Sequence, residues 1–416
     1  MTSPKSLRLP EDLARIIDIQ KAHRPSDLTV ACYVWPSYHG SAIYDRLCAP
    51  GWTEYELMRA CRPWFAGHEQ PRSPILGELD ERRPQTWELY NRLAKGHGID
   101  AWIFDWYWFN GEPSLHEALE EGFLQSTNRE TMKFAVMWTS HGFPLWYPTR
   151  KTDGAIHRRF CYPAPGENLE QTYRSLYYAA ARYFHLPNYW RIDGKPVLVL
   201  YGAWSLLGLG KTPAGAREIL DRVRDAAKTM GHPEIHVHVS APPYLNAAEL
   251  EAMGVDSYAH YNPIGDVVAK RPPEETFTDY GDLTAEIVQK YWPQWDAMSP
   301  LPQWAAVGVG FDNAPRHIMP VPYKRTPENV DGAMIVLNDT PAKFKAFVQA
   351  ALAYLNERPN IPPVLTIGTW NEWTEGHYLL PDARHGFGML EALAEALEIP
   401  IAYDPAKPSD VLPMNG

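Results

Sequence analysis

Two glutamates, Glu372 and Glu375, stand three positions apart in the segment TWNEWTEG, directly after a short apolar run of β type. Paired carboxyl groups suit the cleavage of a glycosidic bond. One acid protonates the departing oxygen while a second carboxylate assists at or near the anomeric carbon. If the segment makes a helical turn, the spacing of three projects both side chains to the same side, within reach of one sugar ring. A solvated acidic pair at a helix start is the plain alternative. Flanking tryptophans are odd companions for such a cap.

Such a pair needs elements that hold it still. Eight short runs are apolar nearly throughout, as strands covered on both faces should be: 28–35, 99–106, 133–139, 195–202, 234–240, 255–261, 304–310 and 363–370. Segments with helical periodicity lie between most of them, at 84–98, 115–124, 169–184, 214–231, 283–295 and 341–357, with a last one at 386–399. Segment 241–254 offers only a short helix. Strand then helix, eight times over, predicts an α/β fold: one (β/α)8 TIM barrel occupying 1–416 as a single domain. The long proline-rich stretches 36–83, 140–168 and 311–340 all follow strands, which places them on the C-terminal face where barrels build their sites.

In this register the strand ends deliver aromatic and polar groups to one rim. Strand one brings Tyr33, Trp35 and His39; strand two brings Asp105, Trp106, Tyr107, Trp108 and Asn110; strand three brings Trp138 and His141. Strand six ends in Tyr258, His260 and Tyr261, strand seven leads to Asp312, Asn313 and Arg316, and strand eight to Trp370, Asn371, Glu372, Trp373 and Glu375. Aromatic faces stack on the apolar face of a pyranose, while carboxylates, amides and guanidinium groups bond its hydroxyls. Any one of these residues, alone, is more often packing than function. The case for a sugar site is their convergence: aromatic residues make up 12% of the chain, and many sit at strand ends.

The composition excludes several other classes. A formal net charge of −11, spread through the sequence without a long acidic run, argues against nucleic acid as a partner. No uncharged apolar run is long enough to cross a bilayer, and the N-terminal residues lack a signal-type apolar core, so the expectation is a cytoplasmic protein without a membrane partner. Cys32, Cys48, Cys61 and Cys161 form no C-x-x-C pair and read as ordinary thiols. His39, His68, His141, His377 and His385 fall in no metal-ligand spacing, and the HVH at 236–238 reads as core or rim hydrogen bonding. No phosphate-binding glycine loop follows any strand, which lowers a sugar-nucleotide transferase, and a non-catalytic sugar-binding barrel would not need both carboxylates. No metal and no cofactor are expected. The expected partner is an oligosaccharide or polysaccharide substrate; the oligomeric state is left open.

The segment WNEWTEGHYLLPD is similar to the W-N-E-W-x-E-G signature of the family 99 glycoside hydrolases and of the larger WbsX-like group. Segments 51–81, 98–111, 189–202 and 307–316 resemble blocks of the WbsX-like group in the same order, so the likeness covers most of the chain. The first of these blocks adds Gln70 and Arg72 to the expected substrate-binding residues. The resemblance implies a (β/α)8 barrel and retaining hydrolysis of a glycoside. It implies that Glu372 acts as a base on the sugar's own 2-hydroxyl, giving a 1,2-anhydro intermediate, and that Glu375 is the acid. That route requires a 2-hydroxyl trans to the leaving group, as in α-mannosides and α-rhamnosides. Members of the WbsX-like group have also been described as glycosyltransferases of polysaccharide clusters, which keeps transfer as the competing expectation.

Overall fold

In a computed structural model of the chain, residues 25, 27–142, 165–240, 247–271, 277–297, 301–317 and 334–400 are described. Eight parallel strands form the barrel: β1 Thr29–Val34, β2 Ala101–Phe109, β3 Lys133–Thr139, β4 Lys195–Tyr201, β5 His236–Ser240, β6 Ser257–Ala259, β7 Ala305–Gly308 and β8 Val364–Gly368. They lie side by side in the order β7-β8-β1-β2-β3-β4-β5-β6. A parallel bridge between Tyr258 and Gln303 joins the two ends of the sheet, with the Trp304 amide donating to the Tyr258 carbonyl at 3.0 Å. All eight predicted strands are present, β6 shortened to three residues.

Helices cover the outside. Pro84–Gly96, Leu169–Tyr183, Pro213–Thr229 and Pro341–Asn356 follow their strands, and Gly388–Ala396 follows β8. Three begin at side-chain caps: Asn168 accepts from the Gln171 amide at 3.1 Å, Thr212 from Gly215 at 3.0 Å and Thr340 from Lys343 at 3.4 Å. The last two caps precede a proline at the first helical position, where its missing N–H costs nothing. Two predicted helices depart from α geometry. Segment 115–124 becomes a π turn, Ala118–Gly122, followed by a 3-10 turn, Phe123–Gln125. Here Gly122 is pressed onto Trp87 and the Glu81 carbonyl, where a Cβ would come within 2.1 Å of that oxygen. Segment 283–295 is split by a π turn at Ile287–Tyr291.

Strand alternation decides what reaches the barrel's interior. Along β2, Trp102, Phe104, Trp106 and Trp108 face the helices: Trp102 donates to Asn91 at 2.9 Å, Trp106 to Tyr183 at 3.2 Å and Trp108 to Gln171 at 2.9 Å. Asp105 and Tyr107 face inward. Up β5 and β6 the inward series run His236, His238, Ser240 and Ser257, Ala259, Tyr261. Across the interior, the Tyr33 hydroxyl meets Ser240 at 2.9 Å, and its ring lies 4.7 Å from that of Tyr261. The stretch 36–83, predicted as loop, carries two short helices, Ala42–Leu47 and Tyr55–Ala60. Most of 140–168 and of 311–340 lies outside the described residues, as does Cys161; Cys32 and Cys61 are free thiols. No helix among the described residues is long and apolar enough to cross a membrane.

Candidate active site

Beyond β8 the chain folds back on itself as a small hairpin. Asn371–Glu372 pairs antiparallel with His377–Tyr378, so that Glu372 sits opposite His377. The turn between them is a 3-10 turn, Trp373–Glu375, closed by Gly376 at φ 68°. Glycine is needed there twice over: the backbone is left-handed, and a Cβ would lie 2.7 Å from the Asp312 amide. Thr369 clips the base of the hairpin, accepting from the Glu372 amide at 3.0 Å and donating to the His377 carbonyl at 2.7 Å. Asn371 fixes it to β1, exchanging two 2.8 Å bonds with the backbone of Trp35.

This geometry brings the two carboxylates onto common partners. His377 Nε2 lies 3.0 Å from Glu372 Oε2 and 3.0 Å from Glu375 Oε2. Arg316, from the 3-10 turn after β7, donates to Glu372 Oε1 at 2.9 Å through one terminal nitrogen and to Glu375 Oε1 through the other. Tyr261 donates to Glu372 Oε2 at 2.8 Å. The His377 nitrogen and the nearest oxygens of both glutamates all lie within 4.8 Å of one another. Glu372 is buried, whereas the Glu375 side chain keeps 19% exposure and marks the open side.

The electrostatics follow from these contacts. Burial alone would push the His377 imidazole down, but the carboxylates of Glu372 and Glu375 hold it up at about 9, so it is a cation at neutral pH. Burial, reinforced by the negative Glu372, drives the Asp105 carboxyl well above the usual range. Asp105 Oδ2 lies 3.3 Å from the Tyr261 hydroxyl, while its buried Oδ1 has no hydrogen-bond partner among the described residues. An unpaired buried carboxyl oxygen beside two glutamates is suited to a ligand hydroxyl. Burial also raises Glu54, although the nearby Arg316 guanidinium works against it. Glu54 accepts from Thr374 at 2.5 Å and lies 3.7 Å from Arg316. Arg316 in turn stands over the Trp35 ring at 5.3 Å.

A sequence profile for the family described as Glycosyltransferase WbsX matches residues 29–393. The chain belongs to this family. The uncharacterized protein WxcX of Xanthomonas campestris pv. campestris is 25% identical over 387 residues, covering 89% of this chain and 49% of its own length. The chain therefore spans about half the length of the curated relatives it matches. Among solved structures, the GH99 endo-alpha-mannosidase from Bacteroides thetaiotaomicron aligns with a TM-score of 0.54 at 13% identity, over 89% of this chain and 96% of that one. A glycoside hydrolase-like protein aligns with a TM-score of 0.53 at 12% identity, over 94% and 99%. At such identities the likeness is one of fold, and it confirms the (β/α)8 barrel.

Of the residues expected at the site of this WbsX-family chain, Trp35, Asp105 and Arg316, expected to bind substrate, converge with Glu372 and Glu375, expected to be catalytic. His141 lies on the adjoining wall, its ring 6.1 Å from Tyr107 and 5.6 Å from Tyr201, and burial pushes its imidazole down. Tyr33 lies beneath Tyr261. Others turn away from the mouth, for reasons of parity and packing. Trp106, Trp108 and Trp138 bond helix Leu169–Tyr183. Trp370 packs edge-on against Tyr90 and Trp102, Trp373 stacks on Tyr378 at 3.8 Å, and Tyr258 donates to the Trp295 carbonyl at 2.7 Å. Asn110, at φ 54°, and Gly111 form the two-residue turn of a hairpin pairing Phe109 with Glu112. Gln70 and Arg72, together with His68, gather round Asp312 at 2.8, 3.6 and 3.0 Å, and Asn313 accepts from the Met334 amide. The Asp312 amide donates to the Glu375 carbonyl, so this buried group braces the hairpin from behind. His39 lies between Glu81 and Glu117, and Glu81 accepts from Asn371, a second brace.

Sequence reasoning missed His377 and Glu54 as members of the site, and of the three groups it named at the end of strand six, Tyr258, His260 and Tyr261, it is Tyr261 that reaches Glu372. Period-two counting from Ser257 singles out Tyr261. No local signal marks Glu54. The grouping of Glu372, Glu375 and His377 also offers three ligand atoms of the kind a metal uses. Arg316 already takes one oxygen of each carboxylate, which would set a guanidinium against any bound cation.

Proposed function

We propose that this chain is a glycoside hydrolase that cleaves an α-linked manno-configured sugar, an α-mannoside or α-rhamnoside, in an oligo- or polysaccharide, with retention through a 1,2-anhydro sugar. The observation that carries this reading is the placement of Glu372 and Glu375 on one imidazole, 3.0 Å from each, at the C-terminal mouth of the barrel. Glu372, the deeper of the two, takes the proton of the 2-hydroxyl as that oxygen attacks the anomeric carbon. Glu375, on the open side, takes up the proton held by the neighbouring His377 and gives it to the departing oxygen as the glycosidic bond breaks. In the second step Glu375 takes a proton from water, which opens the three-membered ring at the anomeric carbon, and Glu372 returns its proton to the 2-oxygen. His377 and Arg316 hold both carboxyls in register, and the charge on His377 is a proton store beside Glu375.

The family's description names a glycosyltransferase, and that favours a second reading on the same residues. An acceptor hydroxyl in place of water would turn the second step into transfer. A screen of aryl α-mannosides, aryl α-rhamnosides and α-linked polysaccharides, with NMR of the first product anomer, separates the two. Release of the reducing sugar with retained configuration supports hydrolysis. Turnover that occurs with sugar nucleotides and with none of the glycosides would sink it.

A further inference from the structure

We propose that the pocket between the C-terminal ends of β3 and β4 is a second sugar subsite, which seats a neighbouring neutral pyranose of the same glycan against Trp204. The inference rests on the carbohydrate reading above for its class of ligand, and on separate residues for its geometry. Trp204 is 37% exposed, the one tryptophan among the strongly exposed large hydrophobic side chains of the described residues. Its ring is nevertheless fixed. It lies flat against Gly202, where a Cβ would come 1.8 Å from the indole, and Gly202 has φ 67°. Tyr201 meets it edge-on at 5.8 Å and 82°. One side of the indole is therefore covered by backbone and the other lines the pocket, the arrangement that a flat apolar sugar face requires.

The rest of the lining suits hydroxyl groups. The volume is about 430 Å³, within the range of small-molecule sites. The partly exposed Ser205 hydroxyl donates inward to the buried Ser140 at 2.6 Å, which leaves the Ser205 oxygen to accept from a ligand. His141 Nδ1 is engaged with the Gly142 carbonyl at 2.7 Å, and burial pushes the imidazole down, so in its neutral form Nε2 is an acceptor. Glu167 is the charged side chain of the lining, which disfavours an anionic sugar. Tyr201, the ring that meets Trp204, links the pocket to the catalytic pair: it lies 5.5 Å from Tyr261, whose hydroxyl bonds Glu372.

The test compares the full chain with Trp204→Ala and Trp204→Phe, by calorimetric titration with methyl α-mannopyranoside, α-linked mannotetraose and the matching rhamnose pair, after thermal melts show that all three proteins fold. The expected result is a selective loss: Trp204→Ala weakens the tetrasaccharide about tenfold while Trp204→Phe retains most of the affinity. Equal tetrasaccharide affinities in all three proteins would overturn the subsite and leave hydrolysis by Glu372 and Glu375 standing. Trp204-dependent binding in a chain that turns over no glycoside would keep the subsite and remove the hydrolase reading. Absence of binding by the unaltered chain to every sugar of the panel would overturn both.

Discussion

His377 and His238 are both fully buried imidazoles inside one barrel, yet their surroundings drive them in opposite directions. His238 stacks on Trp304 at 3.6 Å, shares the Ser257 hydroxyl with His236 and meets no carboxylate at hydrogen-bond distance among the described residues. Burial pushes it well below the ordinary value, and His236 moves the same way. His377 is no less desolvated, but two glutamates face its Nε2 and hold it up at about 9. Burial by itself therefore makes a neutral packing group. A charged group persists at the mouth because opposite charges surround it, with Arg316, Glu54, Glu372 and Glu375 completing the set.

The severest way to break this contrast is to remove Arg316. Arg316→Ala leaves Glu54, Glu372 and Glu375 facing one another with only His377 as cation, and uncompensated buried charge costs about 3–5 kcal/mol. Urea denaturation should show that loss together with the disappearance of turnover. A midpoint equal to that of the unaltered chain would mean that water reaches these carboxylates freely. Next come the glutamates themselves. Glu372→Gln or Glu375→Gln should keep the fold and lower turnover at least about a hundredfold, as loss of an acid or base does. Near-normal rates in both variants would remove the assignment. Either substitution also takes one anion from His377, so its NMR titration should move down towards that of the lower pair.

A third prediction separates the two regions by pH. A histidine whose proton is held more tightly in the folded state adds stability that is complete below its unfolded value of 6.5 and fades as pH rises through about 9. His377 belongs to this class, and so does His39, raised to about 9 by Glu117 and Glu81 against the effect of burial. His236 and His238 have the opposite sign: they are neutral when folded, and stability is lost as pH falls below 6.5. His377→Asn should therefore flatten the alkaline limb, by up to about 3 kcal/mol between pH ~7 and pH ~10, and leave the acid limb in place. Chemical denaturation across that range measures it. An unchanged alkaline limb would show that His377 is not the cation inferred from its contacts.

The barrel was legible in the sequence for a reason that also concealed part of the site. Strands covered on both faces read as continuous apolar runs, so IDAWIFDW announced a strand. The same continuity removes the polarity contrast that tells inside from outside. Asp105 and Tyr107 face the interior while Trp106 and Trp108 hold the helices, a parity that only the pairing of β2 with its neighbours fixes. The glutamates were legible because one hairpin carries both. Arg316 was legible at the end of strand seven, but its partner Glu54 lies 262 positions earlier in the chain, so no local spacing could join the two. The HVH motif, read from the sequence as core or rim hydrogen bonding, is the packing cluster.

The mildest test acts on that cluster. The Ser257 hydroxyl stands 2.7 Å from His236 Nε2 and 2.9 Å from His238 Nδ1, and one hydroxyl proton can satisfy only one of them at a time. At least one of the two neutral imidazoles must therefore donate its own proton to Ser257, which fixes a tautomer below the catalytic level of the barrel. Ser257→Ala removes both contacts but leaves the stacking on Trp304, so the expected cost is about 1–2 kcal/mol. Turnover should stay within about twofold, because neither imidazole reaches the carboxylates. If instead turnover fell as far as it does in Glu375→Gln while the melting temperature barely moved, the lower pair would be coupled to the chemistry, and the division between a charged mouth and a neutral interior would fail.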